Sequence, residues 1–186
     1  MISSTYLDMS QLSVAIVENN PFFRRILRSL LSGFGVRTIH EAAGTEDGWK
    51  LLEEHRPDVL IVDWNLGGED GTALLEKVRR CSDTELAATR FIFVSAHSDR
   101  RHVLLGAKLG ANDFIVKPLS ARVLYERIRR LILSQSAYVR RNGRLEIVER
   151  PPARSAHPEP APGAGAAALP SEVIVLDEMM RSIVQI

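Results

Sequence analysis

The sequence predicts an α/β protein built on a doubly wound, five-stranded parallel sheet. Three observations carry this. Short apolar runs rich in β-branched residues alternate with amphipathic stretches of helical period from Leu12 to about Ser134. The clearest run, Val59-Leu60-Ile61-Val62-Asp63, breaks from continuous apolar sequence into a carboxylate and then a glycine-rich turn. That is the pattern of a buried parallel strand delivering a side chain to its carboxyl end, where α/β sheets place their functional sites. Finally, 186 residues with 45% apolar content suffice for one domain with a real core plus a tail.

The elements follow in order. Leu12 to Val17 is the first strand, closed by Glu18-Asn19-Asn20. Pro21 suits the first turn of a helix capped by Asn20, and Gly33 ends it. Phe23, Ile26, Leu27, Leu30 and Leu31 recur at helical spacing along its core face. Val36 to Ala42 is the second strand, and Thr45 caps a helix carrying Trp49, Leu51 and Leu52. The third strand is Asp58 to Asp63, followed by a helix marked by Leu74, Leu75 and Val78. Phe91 to Val94 is the fourth strand, with Ser95-Ala96-His97-Ser98 after it. Asp99 to Leu109 is the fourth helix, stopped by Gly110. Asn112 to Val116 is the fifth strand, ending at Lys117-Pro118, and Ser120 to Leu133 is the fifth helix.

The chain divides into a lead (1–11), a folded domain (12–135) and a C-terminal extension (136–186). Asn142-Gly143, between β-prone pieces from Tyr138 to Val148, signals a hairpin that would be marginal without a third strand. Arg150 to Pro170 is rich in Pro, Ala and Gly and reads as linker or disordered chain. From Ser171 to Ile186 apolar residues return, at spacings that suit a short helix or, over Val173-Ile174-Val175, a strand. No effector domain of ordinary size fits after Ser134.

A net charge of +1 gives no support to a nucleic-acid or membrane-surface binder. The single cysteine, Cys81, excludes a disulfide within the chain and points to a reducing compartment. No secretory signal and no apolar run of spanning length is evident, so the expectation is a cytoplasmic protein. The five histidines lack metal-ligand spacing, and Arg100-Arg101, Arg127 and Arg129-Arg130 read as solvated helix faces.

The strand ends collect Glu18 and Asn19, Asp63, Ser95 and Lys117 at one edge of the sheet. A carboxylate so placed can bind a metal, accept a phosphoryl group as nucleophile, or act as a base. A metal, a lysine and a hydroxyl together can neutralise the oxygens of a phosphoryl group.

These motifs, in this order over Leu12 to Leu133, resemble a response-regulator receiver domain of the CheY-like type, with a flavodoxin-like (βα)5 fold. The resemblance implies that Asp63 is the phosphoacceptor. It implies Mg²⁺ held by Glu18, Asn19, Asp63 and the Asn65 carbonyl. Lys117, followed by Pro118, would contact the phosphoryl group. Ser95 matches the switch hydroxyl, Ala96 the small residue beside it, and Phe114 the aromatic whose rotamer follows phosphorylation. The implied donor is a histidine kinase or a histidine phosphotransfer protein. The implied output is protein binding, to a downstream target or a second copy, through the fourth helix, fifth strand and fifth helix. No DNA-binding domain, membrane association or enzymatic turnover is implied.

Two departures from the family pattern stand out. The acidic pair usual after the first strand is Glu18-Asn19 here, which removes a negative charge from a metal-ligand position. Gly67 stands where the family often has proline, and is expected to loosen the loop after Asp63. Two rival readings follow from the residues. One is a receiver-fold adaptor that works without phosphorylation. The other is a phosphatase using Asp63, for which the sequence offers no general acid.

Overall fold

A computed structural model describes residues 7–96, 99–134 and 136–149. After a 3-10 turn at Met9–Gln11, the elements run β1 (Ser13–Val17), α1 (Pro21–Gly33), β2 (Thr38–Ala42), α2 (Thr45–His55), β3 (Val59–Asp63) and α3 (Gly71–Arg80). They continue with α4 (Thr84–Ala87), β4 (Arg90–Ser95), α5 (Arg100–Leu109), β5 (Asp113–Val116), α6 (Ala121–Leu133), β6 (Ser136–Arg141) and β7 (Arg144–Glu149). The predicted fourth and fifth helices are therefore α5 and α6.

β1 to β5 form one parallel sheet in the order β2-β1-β3-β4-β5. The order reverses between β1 and β3, which opens a crevice at their carboxyl ends. Alternation along each strand divides the core in two. Ala15, Val17, Leu60, Val62, Phe91, Phe93 and Phe114 face one way, against Leu52, Leu74, Leu75, Val78 and Val103 of α2, α3 and α5. Val14, Ile16, Val59, Ile61, Ile92, Val94 and Ile115 face the other, against Leu27, Leu31, Leu124, Ile128 and Leu131 of α1 and α6. Both faces are covered, so the strands read as continuous apolar runs rather than alternating ones. Met9, in the expected lead, is buried in the second cluster.

Several local expectations are corrected. Thr45 does not cap α2; Gly44 holds that position without a side-chain bond, and Thr45 spends its N–H and hydroxyl on Glu69. Arg127 is not on a solvated face. It is largely buried against Asp113 (3.1 Å), which the exposed Arg130 also reaches (2.7 Å). The short helix α4 was not expected, because four residues are too few to show a period; Asp83 caps it and Leu86 and Ala87 bury it.

The hairpin forms as expected, with Asn142 and Gly143 at φ 49° and 76°, the left-handed pair of a type I′ turn. It does not stand alone. Leu145 is buried, Tyr138 Oη accepts from Asn112 Nδ2 (3.1 Å), Arg140 donates to the Cys81 carbonyl (2.9 Å) and Arg144 to the Lys108 carbonyl (2.7 Å). The expected Arg150–Pro170 linker and the Ser171–Ile186 segment lie outside the described residues.

Candidate functional site

β1 and β3 place Glu18 and Asp63 on either side of the topological switch, and β5 delivers Lys117 between them. Lys117 Nζ lies 2.9 Å from Glu18 Oε2 and 2.8 Å from Asp63 Oδ2. Its ammonium also sits 4.0 Å above the Phe23 ring centroid, a cation–π contact that helps fix a long flexible side chain. Phe23 reaches this position because Asn20 caps α1, accepting the N–H groups of Phe22 and Phe23. Sequence reasoning placed Phe23 only on a core face; its nearness in sequence to the strand-one acidic residue was the available signal.

Glu18 is buried, and its second oxygen accepts the Asn20 N–H at 2.9 Å. Burial pushes its carboxyl above the ordinary glutamate value, while the Lys117 and Asn20 hydrogen bonds pull it back. Asp63 Oδ1 takes the Asn65 N–H at 3.3 Å, so the phosphoacceptor candidate is hydrogen-bonded on both oxygens.

The crevice has a volume of about 350 Å³ and is lined by Glu18, Asn19, Asn20, Asp63, Asn65, Gly67, Ser95, Ala96 and Lys117. Seven of the nine expected site residues therefore meet there. Phe114 and Pro118 do not. Phe114 is buried under the site with Phe93 and Trp64, ring centroids 6.3 and 5.9 Å away, and Pro118, joined to Lys117 by a cis peptide, is exposed. Ser95 is fully buried at the crevice floor. His97, two residues after Ser95, lies outside the described residues.

Trp64, next to Asp63, belongs to the core. It is 6% exposed and packs on Phe93 (4.7 Å) and edge-on to His102 (5.1 Å). Gly106 lies against this stack, where a Cβ would meet Phe93 and Trp64 at the contact distances of 3.4 and 3.5 Å.

The loop after Asp63 is held rather than loosened. Leu66 N–H bonds Glu69 O (2.9 Å), Gly67 N–H bonds Asn65 Oδ1 (3.1 Å), and Glu69 reaches Thr45 on α2. Gly67 has φ +73°, which proline cannot adopt, and a Cβ there would fall 2.7 Å from Asn19 Nδ2. The two departures from the family pattern are thus neighbours: the bare Gly67 leaves the space that the Asn19 amide uses. Gly71, where α3 starts, is closer still, since a Cβ would lie 2.3 Å from the Asp63 carbonyl oxygen. Gly71→Ala is expected to lower stability by about 1–3 kcal/mol through backbone displacement, read as a lower denaturant midpoint at unchanged slope.

Besides Lys117, the residues lining the crevice offer oxygen donors, among them the Glu18 and Asp63 carboxylates and the Asn19 and Asn65 amides. This suits a hard divalent cation that keeps several waters. Among the described residues no cluster of three or more acidic, histidine or cysteine side chains forms a dedicated metal cage.

The class these features define is a doubly wound α/β domain with a lysine-bridged carboxylate pair at its switch point. The chain belongs to the response regulator receiver domain family, whose profile matches residues 14–129. It is 36% identical over 120 residues to the transcriptional regulatory protein AfsQ1 of Streptomyces coelicolor, covering 64% of this chain and 51% of AfsQ1. Against the chemotaxis protein CheY of Pseudomonas aeruginosa it is 32% identical over 120 residues, covering 64% of this chain and 95% of CheY. A putative response regulator from Chloroflexus aurantiacus superposes at TM-score 0.60 with 27% identity, over 65% of this chain and 97% of that one. Chemotaxis response regulator CheY4 of Vibrio cholerae shares the fold at TM-score 0.59 and 21% identity, over 64% of this chain and 98% of its own. The chain is accordingly a receiver of two-component signalling. Among the described residues no helix is long and apolar enough to cross a membrane.

Proposed function

We propose that Asp63 accepts a phosphoryl group from the histidine of a kinase or phosphotransfer protein, and that the phosphorylated domain signals by protein contact. The observation that supports this best is the Lys117 bridge, which holds a cation 2.8 Å from the candidate nucleophile and beside a second carboxylate. Asp63 supplies the attacking oxygen, and the phosphorus–nitrogen bond of the donor breaks as the aspartyl phosphate forms. Lys117 then pairs with the new phosphoryl oxygens, and Ser95 donates its hydroxyl to them from the crevice floor. Mg²⁺, when bound, supplies neutralisation of the incoming charge; Glu18, Asp63, the Asn19 amide and the Asn65 carbonyl would hold it. With Asn in place of a second acid, metal binding is expected to be weaker than in a receiver with two aspartates there.

The output follows from a local charge event biasing a two-state element. Phe114 lies under Trp64 and beside α5, so movement of Ser95 toward a phosphoryl group changes what that ring packs against. The face of α5, β5 and α6 would carry the change to a protein target or a second copy. The test is intact mass after incubation with a small-molecule phosphodonor, with and without Mg²⁺. A Mg²⁺-dependent gain of one phosphoryl group is expected. No gain from either that donor or a cognate kinase would favour the phosphorylation-independent adaptor.

The Lys117 bridge also carries a stability prediction. In metal-free buffer, Lys117→Ala leaves the buried Glu18 facing Asp63 without a cation, and is expected to cost about 2–4 kcal/mol at neutral pH. Its Glu18 would then be raised further above its unfolded value. A carboxyl raised on folding binds more protons in the folded state, so the stability deficit grows as pH rises and shrinks as pH falls. Thermal unfolding at neutral and mildly acidic pH checks this; a deficit independent of pH would show that Glu18 is not the orphaned group.

A further inference from the structure

The β6–β7 hairpin is anchored to the domain by one face, yet one of its edges is open. Arg141 and Arg144 flank a two-residue turn and pair directly, so the next outward pair, Arg140 and Leu145, and then Tyr138 and Ile147, turn their backbone N–H and C=O groups away from the hairpin. Among the described residues none of these groups has a backbone partner elsewhere. The two edges are not equivalent. β7 runs beside α3 and buries Leu145, whereas β6 ends in the exposed Val139-Arg140-Arg141, with Val139 42% exposed. An open strand edge beside an exposed apolar side chain is a template for another strand.

The same chain supplies a matching segment. Val173-Ile174-Val175-Leu176 is β-branched, apolar and uncharged, and is flanked by Glu172 on one side and Asp177-Glu178 on the other. β6 carries Arg140 and Arg141 and no acidic residue, while β7 carries Arg144 against Glu146 and Glu149, so the net charge favours the β6 edge for an acid-flanked segment. Residues 150–172 join the two in sequence, so the segment is tethered to the hairpin it would meet.

We propose that Val173–Leu176 adds in cis to the open edge of β6 as a third strand, bonding the outward backbone groups of Tyr138 and Arg140 and covering Val139. Three strands on a packed face are far better placed to persist than two. The added strand would cap the edge that otherwise invites association between chains. This docking does not depend on the chemistry at Asp63.

The test is amide hydrogen exchange on the full chain. The amides of Tyr138 and Arg140 are expected to exchange about tenfold or more slowly than in the full-length Ile174→Pro variant. Proline lacks the N–H that a strand at this position would donate. The amides of Val139 and Arg144, paired inside the hairpin, should be equally protected in both and report that the hairpin is intact. A synthetic peptide of residues 171–186 added to Ile174→Pro should restore protection. Equal exchange in the two full-length proteins would overturn the proposal. Protection that disappears on dilution, with a matching shift in sedimentation from dimer to monomer, would also overturn it in favour of a strand supplied by a second copy.

Discussion

Asp63→Asn is expected to abolish phosphoryl uptake completely, leaving the intact mass unchanged with donor and Mg²⁺ where the wild-type chain gains one group. The substitution keeps the shape of the side chain and removes the nucleophile, because an amide oxygen does not form an acyl phosphate under these conditions. It also removes one of the two charges that Lys117 bridges. The ammonium then pairs with Glu18 alone, and folding should be little affected because the amide keeps the shape of the side chain and Lys117 still answers the buried Glu18. A variant that still gains a phosphoryl group would place the acceptor elsewhere and remove the main support for the proposed function. A variant that unfolds would instead show that the Lys117 bridge is chiefly structural. Circular dichroism on the same sample separates these cases.

Arg79→Met is expected to be the most destabilising single change outside the crevice, by about 3–5 kcal/mol. Arg79 is completely buried on α3, and its guanidinium donates to the carbonyls of Gly110 (2.8 Å), Ala87 (2.6 Å) and Thr89 (2.9 Å) and to Asn112 Oδ1 (2.9 Å). Burial lowers its pKa to about 10, which still leaves it a cation at neutral pH. Replacing a buried ion pair by apolar residues is often harmless when both partners go. Here three of the acceptors are main-chain carbonyls and cannot be removed by the substitution. Each would be left buried without a donor, at about 1–3 kcal/mol apiece before relaxation. The melting temperature should fall by roughly 10 °C or more. Arg79→Lys should recover only part of the loss, since one ammonium cannot span acceptors on both α4 and the segment before β5. A loss under about 1 kcal/mol for Arg79→Met would show that water takes over the freed carbonyls.

This hub also links the hairpin to the domain. Asn112 takes a bond from Arg79 through Oδ1 and gives one to Tyr138 through Nδ2. The loss of Arg79 should therefore loosen β6 as well, visible as faster exchange inside the hairpin.

The sequence by itself determined the parallel sheet, the order of its elements and the strand-end position of Asp63, Ser95 and Lys117. Those features are written in local signals: unbroken apolar runs, helical spacing, the Asn20 cap, and the Asn142-Gly143 turn. The departures at Asn19 and Gly67 were visible too, but only as two separate substitutions. Tertiary structure alone decided that they share one space, because that depends on how the loops after β1 and β3 approach each other. It likewise decided that Trp64 is core, that Arg127 and Arg130 answer a buried Asp113, and that Arg79 is a hub. A charged residue in an amphipathic helix looks solvated until the fold sets acceptors around it. Partners such as Ala87, Gly110 and Asn112 lie in separate segments, and no period or spacing connects them. The hairpin shows both levels at once: its turn is local chemistry, whereas its anchoring depends on which face of the sheet α3 and α5 occupy.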